Sequence, residues 1–122
     1  MNRGRIFDID ASLLDIRESV AALQAYVAGV SEKQFLANPE KQDAVMRRIE
    51  MLGEAANRIM RADPDFARSF STLPLQALYA MRNRISHGYD SIDLATVWKT
   101  ATRDAVELRE QVDRLIARRP RR

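Results

Sequence analysis

Three apolar stripes at helical spacing leave this chain little to fold into but a bundle of helices. Ile9, Leu13, Ile16, Val20, Leu23 and Val27 are separated by four, three, four, three and four residues. That spacing brings all six onto one face of a helix. Val45, Ile49, Leu52, Ala56 and Ile59 repeat the pattern, and Leu94, Trp98, Ala101, Ala105, Leu108, Val112 and Leu115 carry it through the end of the chain. Seams of this kind suit nearly antiparallel packing, each helix burying its stripe against the next. No segment alternates as a strand would. The expected fold is all-α, an antiparallel bundle of three long helices with a shorter fourth helix and a small bridging helix.

Start and stop residues agree with the stripes. Asn38 and Pro39 suit an N-cap and first turn for the second long helix, with Glu40 near its positive end. Pro64 disfavours helical geometry at Asp63 and closes that helix. The shorter helix is expected to enter at Thr72 or Leu73, with Pro74 in its first turn. It turns Leu75, Leu78, Met81 and Ile85 inward and stops at Gly88 in a left-handed cap. Asp93 caps the last helix, and a short helix around Ser31 to Leu36 bridges the first two. Apolar spacing of this type marks core, so Trp98 reads as core or interface. Gly53, Ala55 and Ala56 thin one side of the second long helix. A mid-helix glycine costs ~1 kcal/mol relative to alanine, so a neighbouring backbone is expected to approach closely there.

At 122 residues the chain reads as one domain over 1–122, an ordered bundle from about 6 to 117 and a basic tail from 118 to 122. The net charge of +3 includes Arg118, Arg119, Arg121 and Arg122, and without those four the chain stands at −1. Basicity is therefore a property of the tail, which either touches RNA phosphates or frays in solvent. There is no cysteine, which excludes disulfides and thiolate metal sites, and with a single histidine no metal site is expected. No run is apolar enough to cross a bilayer and no signal-peptide pattern opens the chain, so a cytoplasmic protein without membrane contact is expected. None of the four glycines sits in a phosphate-loop spacing.

The chemistry that remains is concentrated in MRNRISHGYD, residues 81–90, which holds the only histidine. On a helix Asn83 and His87 share a face, as do Arg82 and Ser86. Arg82 and His87 are five apart, roughly 140° around the axis, and do not converge unless the chain turns after the helix stops. Imidazole, guanidinium, amide and phenol together can grip a phosphodiester and move its protons. Metal-free RNA cleavage needs a base for the 2′-hydroxyl, charge on the phosphoryl oxygens balanced, and an acid for the leaving oxygen. One histidine serves one proton transfer, so a nuclease built on this stretch calls for a two-fold dimer with a composite site. The plain alternative is an Arg/His helix end with structural contacts only. Glu54, Asn57 and Ser86 are candidate cleft-supporting residues, with surface or interhelical hydrogen bonding as their other reading.

Arg82-x4-His87-x-Tyr89, written RNRISHGY, resembles the Arg-x4–6-His motif of HEPN domains in the extended form that ends in Tyr. MLGEAANRI, LPLQALYAMRNRISHGYDSID and the VW of the last helix extend the likeness to the HepT-like family, from Ile6 to Ile116. The resemblance implies the toxin of a bacterial toxin–antitoxin pair, a homodimer whose motif residues face each other across a cleft, acting as a metal-independent ribonuclease on RNA. It implies a minimal nucleotidyltransferase antitoxin that transfers AMP from ATP to the motif tyrosine, here Tyr89. Arg82 and His87 inherit catalytic roles and Asn83 a supporting one; no cofactor is implied beyond AMP as a covalent modification. The alternative is a non-catalytic nucleotide- or protein-binding helical subunit of a nucleotidyltransferase complex. A third reading is a purely structural interaction domain.

Overall fold

The computed structural model describes residues 2–69, 73–88 and 92–119, with side chains from Ile9 onward. Helices α1 (Asn2–Val27), α2 (Glu32–Leu36), α3 (Pro39–Ala62), α4 (Pro64–Ser69) and α5 (Leu75–Ser86) follow in order. The chain then runs through α6 (Leu94–Lys99), a π-helical turn (Thr100–Asp104) and α7 (Ala105–Arg118) as one continuous rod. The fold is all-α, as the stripes require.

The caps fall where their chemistry puts them. Ser31 and Gln34 exchange side-chain-to-backbone bonds at the start of α2, a complete capping box. The Asn38 carboxamide oxygen accepts from the Lys41 amide with Pro39 at the first helical position, and Asp93 accepts from Ala95. Gly88 follows α5 with φ +138°, positive but beyond the left-handed helical well.

Cross-helix pairs give the register. Arg58 donates to Ser12 and Asp15 near one end of α1, and Arg48 approaches the Tyr26 hydroxyl near the other. Rising numbers on α1 meet falling numbers on α3, so the two are antiparallel. Arg17 with Asp113 and Gln24 with Arg109 show the same for α1 and α7. Glu50 with Ser86 and Gly53 with Leu78 show it for α3 and α5. α1 and α3 form the central pair, α7 flanks α1, and α5 flanks α3. The core between them holds all six residues of the first stripe and all five of the second.

Four details depart from the expectations. Asp63–Pro64 closes α3 but also opens α4, because the Asp63 carboxylate accepts from the Phe66 amide and Pro64 takes the first helical position. α5 begins at Leu75 rather than earlier, and Thr72 lies outside the described residues. Met81 is half-buried rather than core, while Leu75, Leu78 and Ile85 are buried as expected. In the last helix the π turn shifts the phase of the stripe, so Val97 and Thr100 enter the core and Leu94 and Trp98 stay half-buried. Thr100 and Thr102 donate their hydroxyls to the carbonyls four residues back, at 3.0 and 2.7 Å. Such back-bonding competes with the regular backbone ladder and locates the irregular turn.

Of the basic tail the structure describes Arg118, which ends α7 exposed, and Arg119, which is not frayed. Its guanidinium pairs with Asp10 of α1 and lies 5.3 Å from the centre of the Phe66 ring on α4. One arginine thus joins the end of the rod to the first helix and to α4.

Candidate active site

Arg82, Asn83 and Ser86 all ride on α5, and His87 is its C-cap. His87 keeps helical angles (φ −87°, ψ −5°), and its amide donates to the Asn83 carbonyl at 3.0 Å. The helical spiral therefore continues through His87 and breaks only at Gly88. His87 stands roughly 140° around the axis from Arg82, and one chain does not close a site between them. Its imidazole is exposed and makes no hydrogen bond to the described residues.

Arg82 is held more firmly. Its Nη1 donates to Asn83 Oδ1 at 2.9 Å, and its Nε is buried without a hydrogen-bond partner among the described residues. A buried, unmet N–H costs about 1–3 kcal/mol, which packing of the side-chain stem has to offset. That packing is against α3, where the chain is thinnest, beside Gly53.

Of the three cleft-supporting candidates, one is tied to α3. The Ser86 hydroxyl donates to Glu50 at 3.0 Å, while Arg47 lies 3.9 Å from Glu50 and 4.0 Å from Glu54. Glu50 is a residue that nothing in its local sequence singles out. No spacing rule reveals it, because the contact exists only once α3 and α5 cross. Glu54 stays at the surface end of that network, and Asn57 is half-buried without a side-chain hydrogen bond to the described residues. Tyr89 lies outside the described residues. Ser86→Ala and Glu50→Ala are each expected to cost about 0.5–1.5 kcal/mol in urea unfolding, and the double variant no more than the larger single loss. Fully additive losses would mean that the two side chains do not act as a pair.

A cavity of about 350 Å³ opens between α5 and the last helix, floored by Leu23, Leu52, Leu78 and Leu108. Neither Arg82, Asn83 nor His87 lines it, so the motif and the cavity are separate features. Among the described residues no group of three His, Asp or Glu side chains converges as a metal site requires, and no helix is long and apolar enough to cross a membrane.

The fold is an antiparallel helical bundle that carries Arg82, Asn83 and His87 toward the end of one short helix. The chain belongs to the ribonuclease HepT-like family, whose model matches residues 16–115. It is 29% identical over 109 residues to "Putative RNase MJ1216" of Methanocaldococcus jannaschii, covering 89% of this chain and 88% of that one. It is also 29% identical over 103 residues to "Probable ribonuclease HepT" of Thermococcus cleftensis, covering 84% and 91%. No solved structure matches it significantly.

Proposed function

We propose that this protein is a metal-independent endoribonuclease, the toxin of a bacterial toxin–antitoxin pair, acting as a homodimer through Arg82, Asn83 and His87. What carries the reading is a phosphodiester-competent set of side chains at one helix end, in a chain belonging to the ribonuclease HepT-like family. Likeness to relatives named as ribonucleases supports the same reading.

The chemistry divides as follows. A base removes the 2′-hydroxyl proton, O2′ attacks the adjacent phosphorus, and the P–O5′ bond breaks with a proton delivered to O5′. The products are a 2′,3′-cyclic phosphate and a 5′-hydroxyl. Arg82, with Nη1 oriented by Asn83, balances charge on the phosphoryl oxygens. His87 exchanges one proton, and the second exchange falls to His87 of the other subunit. The open position of His87, and its angular separation from Arg82 within one chain, support a composite site.

Tyr89 follows His87 by two residues. In this reading its phenolic oxygen bonds to the α-phosphorus of ATP held by a nucleotidyltransferase antitoxin, and pyrophosphate leaves. Added bulk and negative charge then occupy the position of the substrate phosphate and repel it.

The test is cleavage of a single-stranded RNA oligonucleotide by the purified, unmodified protein in the presence of a chelator. Expected are 2′,3′-cyclic phosphate ends, no cut at 2′-deoxy positions, and loss of activity after treatment with the nucleotidyltransferase and ATP. A dimeric, unmodified protein that cuts no RNA would instead support a non-catalytic subunit of a nucleotidyltransferase complex.

A further inference from the structure

We propose that Gly53 is the positioning residue for Arg82: the absence of a side chain on α3 lets α5 approach until the guanidinium stem is locked in place. The contact is independent of the function assigned above; only the kinetic arm of its test rests on that reading.

A Cβ built on Gly53 would lie 2.2 Å from Cβ of Arg82, 3.0 Å from its Cγ and 2.7 Å from the Leu78 carbonyl oxygen. These are not flexible tips that swing aside. Two belong to the root of the Arg82 side chain and one to the backbone of α5, so no rotamer relieves the overlap. Either α5 moves off α3 or the stem of Arg82 is pushed out of its place.

Glycine in mid-helix is otherwise a poor choice, about 1 kcal/mol worse than alanine. Here its backbone is helical, whereas Gly29 and Gly88 have positive φ and no described atom within 4 Å of where a Cβ would stand. Gly53 is thus needed for contact, and those two glycines for conformation. Ala56, three residues on and fully buried, keeps the neighbouring surface of α3 low as well.

The consequence reaches the guanidinium through two observations. Arg82 Nε is buried with no partner among the described residues, and Nη1 is occupied by Asn83. The stem is fixed at its root by the helix crossing and at one branch by the amide, which leaves the other branch to meet a phosphate. A shift of α5 by a methyl group moves that branch by about 1 Å, a displacement that typically costs about 10²-fold in rate.

The experiment is a double-mutant cycle of Gly53→Ala and Arg82→Ala, read by RNA cleavage kinetics, thermal unfolding and NMR of the arginine Nε–H signals. Gly53→Ala is expected to lower kcat/KM by about 10–100-fold, mainly in kcat, and by several-fold less in the Arg82→Ala background, where the overlap with α5 remains but the guanidinium it displaces is gone. The Arg82 Nε–H, assigned by its disappearance in Arg82→Ala, is expected to exchange at least about tenfold more slowly than a solvent-exposed arginine, and to lose that protection in Gly53→Ala. An equal activity loss in both backgrounds would overturn the proposal, since a general loosening of the bundle acts whether or not Arg82 is present. Free exchange of the Arg82 Nε–H in the unaltered protein would overturn it too, even if Gly53→Ala fails to fold. Should the unaltered protein cut no RNA, the ribonuclease reading fails and the NMR comparison alone decides on Gly53.

Discussion

Replacing His87 by alanine is expected to reduce kcat/KM for RNA cleavage by about 10²–10⁴-fold while leaving the unfolding free energy within about 0.5 kcal/mol of the parent. The two halves of this expectation have separate causes. His87 is exposed, its imidazole makes no hydrogen bond to the described residues, and only its amide holds the helix end. Alanine keeps that amide and the helical angles of the cap, so the fold has little to lose. Chemistry loses the imidazole proposed to exchange a proton with the substrate, since the chain has no second histidine. Kinetics with chemically made RNA, alongside urea unfolding, measures both quantities. Arg82→Ala provides the contrast. It removes a charge from the reaction and a packed stem from the α3–α5 crossing, so activity and stability should fall together. Full activity in His87→Ala would remove the assigned acid–base role outright.

Much of the fold is legible in the sequence because long helices state their buried face at every turn. Each residue of the Ile9-to-Val27 stripe lies in the core, and Asn38, Ser31 and Asp93 all accept the amides their positions imply. What escapes the reading is whatever depends on two influences meeting. Asp63–Pro64 carries a stop for one helix and a start for the next, and the rule for stopping hides the rule for starting. The π turn comes from threonine hydroxyls competing for backbone carbonyls, and competition leaves no period to detect. Arg119 reads as one more charge in a basic tail because its partner Asp10 is 109 residues away.

The site divides along the same line. Arg82, Asn83 and His87 stand out through local spacing, and the thin side of α3 foretells a close approach. That the approach falls on Arg82, and that Ser86 reaches Glu50 rather than Glu54, follows from the crossing point of α3 and α5. A crossing point depends on every side chain between two helices, and no single stripe encodes it.

The largest expected loss of stability comes from α2. Its five residues are far too few to hold a helix by themselves. Three contacts keep it in place: the Ser31 capping box, the Gln42 amide donating to the Phe35 and Leu36 carbonyls, and the fully buried Phe35 ring. That ring meets Trp98 with centroids 5.2 Å apart and planes tilted by 37°. Phe35 therefore couples the bridge between α1 and α3 to the start of the last rod. Phe35→Ala is expected to cost about 3–5 kcal/mol, through lost burial and the cavity left behind. In a domain of this size that lowers the thermal midpoint by about 10–20 °C. Typical domains have only about 5–15 kcal/mol in total, so the variant loses a large part of its margin. Phe35→Leu, which refills most of the volume, should recover more than half of the loss. The chemistry should be spared below the new midpoint, because Phe35 touches neither the Gly53–Arg82 contact nor His87. Calorimetry of the two variants decides the point. A midpoint within about 3 °C of the parent for Phe35→Ala would mean that α2 rests on the bundle without bracing it.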